Sequence, residues 1–188
     1  MESVTATPPL SRTINLLAVI DTQYIKHSYE PNPDVLHPTA IKPDHLFLIG
    51  AGLCSNSGKL KFEAKTGDAI SLTGTSATHN SNDAVILYNA HPSGRSHIFH
   101  PFRQKFVTRR CSVEPNPDSE NYDGLPAIET TSHFSHLNSR IQDYGTQHID
   151  FKFALYTLSD DGQTQRLYGY YRCRLSATVE PPHRTHLE

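Results

Sequence analysis

The chain has 188 residues and a formal charge of −2, with 19% charged and 36% hydrophobic residues. That length suits one sizeable core and is short for two, and a near-neutral chain has no global field with which to hold a polyanion. No apolar run approaches the roughly 20 residues that span a bilayer, so neither nucleic acid nor a membrane is expected as a partner.

Residues 1–12 carry no basic n-region and no apolar h-region, and read as a flexible tail, not a secretory signal. A single β domain is expected over residues 13–180. Ile14 to Ile20 is apolar on both faces apart from Asn15, which predicts a strand in the middle of a sheet. Asp21-Thr22 ends it. From Gln23 to Asp44 the residues Pro31, Pro33, Pro38 and Pro43 forbid regular ladder pairing and predict a long irregular loop, a kind of segment that often carries function. Leu46 to Gly50 is the next strand, and Gly50-Ala51-Gly52 and Asn56-Ser57-Gly58 have turn chemistry.

From Lys59 to Lys65 charged and apolar residues alternate one by one. A period of two places Leu60, Phe62 and Ala64 on one face and the lysines and Glu63 on the other, so this is sheet. Thr66-Gly67-Asp68 turns the chain into a strand from Ala69 to Thr73, and a polar loop, Gly74 to Asp83, leads into a strand from Ala84 to Tyr88. Beyond His91-Pro92-Ser93-Gly94 and Ile98-Phe99, a strand is predicted from Phe106 to Val113 and a loop from Pro115 to Pro126. Ile128 to Phe134 alternates weakly, and a short helix or 3₁₀ turn near His133 to Ile141 stays open as an alternative.

Ile149 to Leu158 is a strong strand with Phe151, Phe153 and Leu155 on one face, and Asp160-Asp161-Gly162 signals a hairpin. The return strand, Leu167 to Arg174, places Leu167, Tyr171 and Cys173 on one face and Arg166, Tyr168, Tyr170 and Arg172 on the other; Leu175 to Val179 closes the sheet. Residues 181–188 form a C-terminal tail whose Leu187-Glu188 reads as the remnant of an expression-vector junction. About nine or ten strands predict an all-β fold: a two-sheet antiparallel β-sandwich, jelly-roll-like or immunoglobulin-like.

Cys54, Cys111 and Cys173 are widely spaced and odd in number. No CxxC pair exists, so a zinc ribbon and a thioredoxin-like motif are excluded; buried thiols in a cytoplasmic protein are expected. The pairs His97-x-x-His100 and His133-x-x-His136 are the tightest among the histidines. On a strand a spacing of three places the two side chains on opposite faces, so surface histidines without a metal are expected. No Gly-x-Ser-x-Gly elbow is present and no cysteine has the context of a nucleophile, so no catalytic residues are assigned and an enzyme is not expected. The densest basic cluster, Arg103, Lys105, Arg109 and Arg110, is small and split by Phe106 and Val107.

Asp21, Tyr24, Asn82 and Asp83 supply what a sugar site needs: planar acceptors, an amide donor and an aromatic face. Calcium would want several such oxygens at once and is the one cofactor option. The same Asp and Asn residues, placed at strand ends, also suit the capping of free backbone N–H groups. Tyr168 and Tyr170, with Arg166 and Arg172, form a stripe that fits either cross-strand packing or a subunit interface, and a homo-oligomer is expected.

Several pieces occur in a telling order: Ile14-Asn15-Leu16-Leu17-Ala18-Val19-Ile20-Asp21-Thr22, Tyr29-Glu30-Pro31-Asn32-Pro33, Gly67-Asp68, Gly74-Thr75-Ser76, Asn82-Asp83-Ala84-Val85-Ile86-Leu87-Tyr88, Phe153-Ala154-Leu155-Tyr156 and Leu167-Tyr168-Gly169-Tyr170-Tyr171. Together, over about residues 13–179, they resemble the AidA/PixA inclusion-body protein family of bacteria. The resemblance implies a small soluble protein made in quantity under cell-density or phase-variation control and linked to life with a host. It also implies accumulation in intracellular inclusions for some members, with release to a host by an unknown route, and it brings no enzymatic activity. Relatives often carry Trp, which this chain lacks, so Trp-based stacking on a sugar is not available to it. The alternative function is a lectin using the loop residues named above.

Overall fold

The computed structural model describes residues 11–50, 53–55 and 58–182. The N-terminal tail up to residue 10, most of the two turns around Gly50 and Asn56, the Cys54 side chain and the C-terminal tail from residue 183 lie outside the described residues. In chain order the elements are β1 (Thr13–Ile20), α1 (Thr22–Ser28), β2 (Thr39–Ile41), a 3₁₀ turn (Pro43–His45), β3 (Leu46–Gly50), β4 (Leu53–Ser55), β5 (Lys59–Glu63), β6 (Ala69–Ser76), β7 (Ala84–Ser93), β8 (Arg103–Glu114), β9 (Ile128–Arg140), β10 (Gly145–Leu158) and β11 (Gln165–Glu180).

The strands stack as two sheets. One has six strands in the order β4-β3-β1-β6-β9-β8; the other runs β2-β11-β10-β7, with β5 also paired to β11. This is the expected all-β sandwich, with mixed rather than wholly antiparallel pairing. β1 runs parallel to β6, and β2 and β5 run parallel to β11. The two short strands share one edge of β11, β2 against Tyr171–Cys173 and β5 against Ser176–Glu180, so the connections between them pass over to the other sheet. β11 is one continuous strand of 16 residues where two shorter ones were expected, because β10 pairs with it along nearly its whole length.

The core lies between the sheets. Leu16, Ile20, Leu72 and Leu137 from one face Leu87, Phe151, Phe153, Leu155, Tyr171 and Leu175 from the other, all buried. Each such large apolar side chain contributes about 1.5–3 kcal/mol of burial. The alternation in β5 comes out as read: Leu60, Phe62 and the following Ala64 are buried, the lysines exposed. β1 does sit mid-sheet, but its outer face is not covered, since Asn15 is exposed and Leu17 is 36% exposed. Pro92 lies inside β7, which pairs only with β10, so its missing N–H faces an open edge.

Three expectations are corrected. The segment from Gln23 to Asp44 is not one loop: α1 occupies its start and β2 lies near its end, with Pro31, Pro33 and Pro38 between them and Pro43 opening the 3₁₀ turn. The region from His133 to Ile141 is strand, because β9 pairs with β8 along its length and with β6 at its base. Tyr168 does not share a face with Tyr170. The ladder shifts between Leu155 and Tyr156, where Leu155 pairs with Gly169 and Tyr156 with Leu167. The extra residue is Tyr168, and a bulge of one reverses the alternation. Tyr168 therefore stacks toward Tyr171 and packs on the core, while Tyr170 meets Tyr88 edge-on.

Candidate functional site

The residues read as a sugar site gather around α1. Asp21 is the helix N-cap: its Oδ1 accepts from the Tyr24 backbone N–H at 3.0 Å. Its Oδ2 lies 3.2 Å from Nδ1 of His45, and the Tyr24 ring stacks on the His45 imidazole with centroids 3.4 Å apart. Asp83 reaches the same helix from the β6–β7 loop and is 2% exposed. Its Oδ2 accepts from the Thr22 hydroxyl at 2.7 Å and lies 2.7 Å from Nζ of Lys26, which also donates to Oδ1 at 3.0 Å. Thr22 and Lys26 are four apart in sequence and therefore share one helix face. Asn82 is exposed, and its carbonyl accepts from Nε2 of Gln165, as do those of Asn80 and Ser81.

The structure thus brings Asp21, Tyr24 and Asp83 to one helix and leaves Asn82 on the loop beside it. The carboxylates of Asp21 and Asp83 both serve protein groups. Sequence reading missed Thr22, Lys26 and His45, and placed Tyr168 in an aromatic stripe rather than beneath α1; the Thr22/Lys26 spacing was a usable signal once a helix was considered. Tyr168 donates its hydroxyl to the carbonyls of Tyr29, at 3.0 Å, and Lys26, and Tyr171 donates to that of Glu30 at 3.0 Å. Burial pushes both phenols above their ordinary range, with Tyr168 and Glu30 adding to the rise at Tyr171. These bonds pin α1 and the segment after it onto the sandwich.

A second concavity, of about 1020 Å³, opens where Arg12, Lys61, Glu63, Asp68 and Glu180 meet. Asp68, the residue after the Gly67 turn, accepts from the Lys65 and Arg12 backbone N–H groups and from the Arg12 guanidinium at 3.2 Å. Lys61 pairs with Glu180 at 2.8 Å. Among the described residues no group of three or more His, Cys, Asp or Glu side chains is placed to hold a metal ion. His133 and His136 lie on opposite faces of β9, opposite Thr108 and Lys105. Of the cysteines, Cys173 is buried, but Cys111 is exposed, contrary to expectation, because its part of β8 has no core behind it.

That part of the molecule is the most unusual surface. Only Leu137 to Arg140 of β9 pair with β6; further out, β8 and β9 have only each other. No residue of β8 is buried. From the Phe106–Ser135 pair to the Glu114–Ile128 pair the two strands form a ribbon roughly 25–30 Å long. It carries Phe106 (76% exposed), Val113 (71%), Phe134 (44%) and Ile128 (40%), and the loop at its tip carries Tyr122 (97%) and Leu125 (60%). A lone two-stranded ribbon is marginal in water, and this one holds several large apolar side chains in solvent.

Comparison with known proteins adds the decisive observation: a family model described as PixA, inclusion body protein, matches residues 12–179. The chain belongs to the PixA inclusion body protein family. The crystal structure of a PixA inclusion body protein from Burkholderia cenocepacia J2315 is similar to this PixA chain at 28% identity and a TM-score of 0.76, covering 93% of this chain and 99% of that one. A solution structure of Amebosin aligns over 77% of this chain and 99% of that one, but at 8% identity and a TM-score of 0.21 it carries no argument about the PixA fold. No curated protein gives a significant match. The resemblance read from the ordered motifs is thereby the family itself, over nearly the span from which it was read.

Proposed function

We propose that this PixA-family chain works by self-association and not by catalysis, accumulating as inclusions, and that its biological setting is life with a host. The observation that carries the reading is the β8–β9 ribbon, which holds large apolar side chains in water on a family member whose relatives bear the name inclusion body protein. A protein kept as a dense deposit needs a surface that prefers another copy to solvent, and an exposed edge strand with apolar flanks is such a surface. Around α1 the acidic side chains already serve the protein itself: they cap a helix and hold Thr22 and Lys26.

The lectin alternative has less behind it, since Asp21 and Asp83 are already bonded within the protein. Sedimentation velocity of the full chain over a wide concentration range tests the proposal. A weight-average mass that climbs with concentration supports it; a monomer throughout overturns it. Turnover on a broad ester and glycoside panel would overturn the non-enzymatic half. Glycan-array binding lost on Asp83→Asn, with the fold kept, would favour the lectin.

A further inference from the structure

The outward face of the six-stranded sheet is sorted by charge. Strand pairing sets Asn15, Ser71, Asn138 and Arg103 in one row across β1, β6, β9 and β8. Leu137, beside Asn138, points into the core, so this row points out. Successive residues alternate between faces. Arg103, Lys105, Val107 and Arg109 of β8 therefore point outward, opposite Asn138, His136, Phe134 and Ser132 of β9. Arg140 follows on the same side. Over β3, β1, β6, β9 and β8 this face meets no carboxylate until Glu114, beyond the bulge that lies between Arg109 and Ser112. Among the described residues none of Arg103, Lys105, Arg109 and Arg140 takes part in an ion pair.

Two rows thus run side by side. The cations of β8 form one, with Arg103 and Arg109 about 20 Å apart at ~3.4 Å per residue. The rings of His136 and Phe134 form the other, one strand away, and Phe134 is 44% exposed. At the base a concavity of about 390 Å³ brings together His100, Arg103, Asn138 and Arg140. The buried Oδ1 of Asn138 has no hydrogen-bond partner among the described residues. A ligand that suits this face has a line of anions for the cations, flat groups for the rings and an N–H or O–H donor for Asn138.

We propose that this face binds single-stranded nucleic acid. The backbone phosphates lie along Arg140, Arg103, Lys105 and Arg109, the bases stack on Phe134 and His136, and a base edge donates to Asn138. A cationic track beside a row of rings is what unpaired strands need, and the length fits the short end of the ~4–16 nucleotides such sites hold. The overall charge of −2 alone implies the opposite, but beyond a Debye length of about 10 Å it counts little against a local patch. A sulfated polysaccharide has the anions but no π-face for the rings. A duplex keeps its bases stacked within. An anionic membrane would meet Glu114 and the acidic tip, Asp118, Glu120 and Asp123. The proposal is independent of self-association: Phe106 and Val113, on the opposite face of the ribbon, stay open to another copy.

The test is fluorescence anisotropy of the full chain with a labelled deoxythymidine oligonucleotide of about 12 residues at low salt. Four phosphate contacts give a slope of about −3 for log K against log salt, at −0.7 each. Arg103→Gln/Lys105→Gln/Arg109→Gln should bind at least ~10-fold more weakly, with a slope shallower by about 2. Phe134→Ala should bind at least ~5-fold more weakly with its slope unchanged. Arg166→Gln/Arg172→Gln, which removes exposed cations from the other sheet, should bind like wild type. All the substituted sites are exposed, and circular dichroism checks that each variant folds. No binding by wild type overturns the proposal, as does a triple variant that binds like wild type. If Phe134→Ala has no effect and a heparin fragment binds as tightly as the oligonucleotide, the face holds polyanions by charge alone and the nucleic-acid assignment falls. It falls equally if the matching duplex binds more tightly than the single strand, or if anionic vesicles are retained and the oligonucleotide is not.

Discussion

Replacing Asp83 with Ala separates a structural carboxylate from a ligand-binding one. The change removes the acceptor for the Thr22 hydroxyl at 2.7 Å and for the Lys26 ammonium at 2.7 Å. Thr22 is 2% exposed, so its hydroxyl is left buried without this partner, at about 1–3 kcal/mol. The Lys26 side chain is 26% exposed and can turn to water, so its loss is nearer a surface pair, about 1 kcal/mol or less. Together the cost is about 1–4 kcal/mol. At roughly 2–4 °C per kcal/mol for a domain of this size, the melting temperature should fall by roughly 2–16 °C. Urea unfolding of wild type, Asp83→Ala, Lys26→Met and the double variant gives the coupling energy directly. A loss below about 0.5 kcal/mol for Asp83→Ala would refute the reasoning and return Asp83 to the pool of free, ligand-facing groups.

Three further outcomes follow from local geometry. A methyl group at Gly169 would stand 2.6 Å from the backbone N of Asn32, whose carbonyl accepts from Tyr170 N–H at 2.8 Å; Gly169→Ala should cost about 1–3 kcal/mol, and an unchanged melting curve would contradict that contact. Burial, with Asp150 and Asp44 adding, pushes the Cys173 thiol up to about 12, while Cys111 is exposed. In a Cys54→Ser background Ellman's reagent should therefore titrate one thiol at once and the second only in denaturant; two fast thiols would contradict the burial. At Asp150 burial raises the carboxyl, but bonds from Arg174, at 2.8 and 3.1 Å, and from Ser93 hold it below its usual range. A depressed native pKa stabilises above the unfolded value and loses that contribution as pH falls through the native one. Arg174→Met should lower the urea midpoint at neutral pH, and the two proteins should converge toward about pH 2; an equal gap at both pH values would contradict the pairing.

The sandwich was legible because alternation is a local signal. Leu60, Phe62 and Ala64 announce a half-buried strand whatever lies elsewhere, and Phe151, Phe153 and Leu155 do the same. α1 was not legible: seven residues with only Thr22 and Ile25 buried, set just before a Pro-rich stretch, offer too short a pattern to show a period. Tyr168 was misassigned because strict alternation was carried through the slip between Leu155 and Tyr156; the one mark of that bulge in β11 itself is Gly169, the residue after Tyr168. The parallel pairing of β1 with β6 depends on crossovers between sheets. Around α1, Asp21 and Asp83 were visible as polar residues at strand ends, but their partners Thr22, Lys26 and His45 come into view only with the helix. The basic cluster at Arg103 to Arg110 was visible; which of its residues share a face with Glu114 was hidden by the second bulge.

The most direct measurement compares the full chain with a Phe106→Ser/Phe134→Ser variant by sedimentation velocity. Both residues are exposed and lie on opposite faces of the ribbon, so the fold should stand while the surface loses its apolar character. Concentration-dependent growth in wild type, with a monomer persisting in the variant, is the expected result. Equal growth in both would show that the ribbon is not what joins one copy to the next.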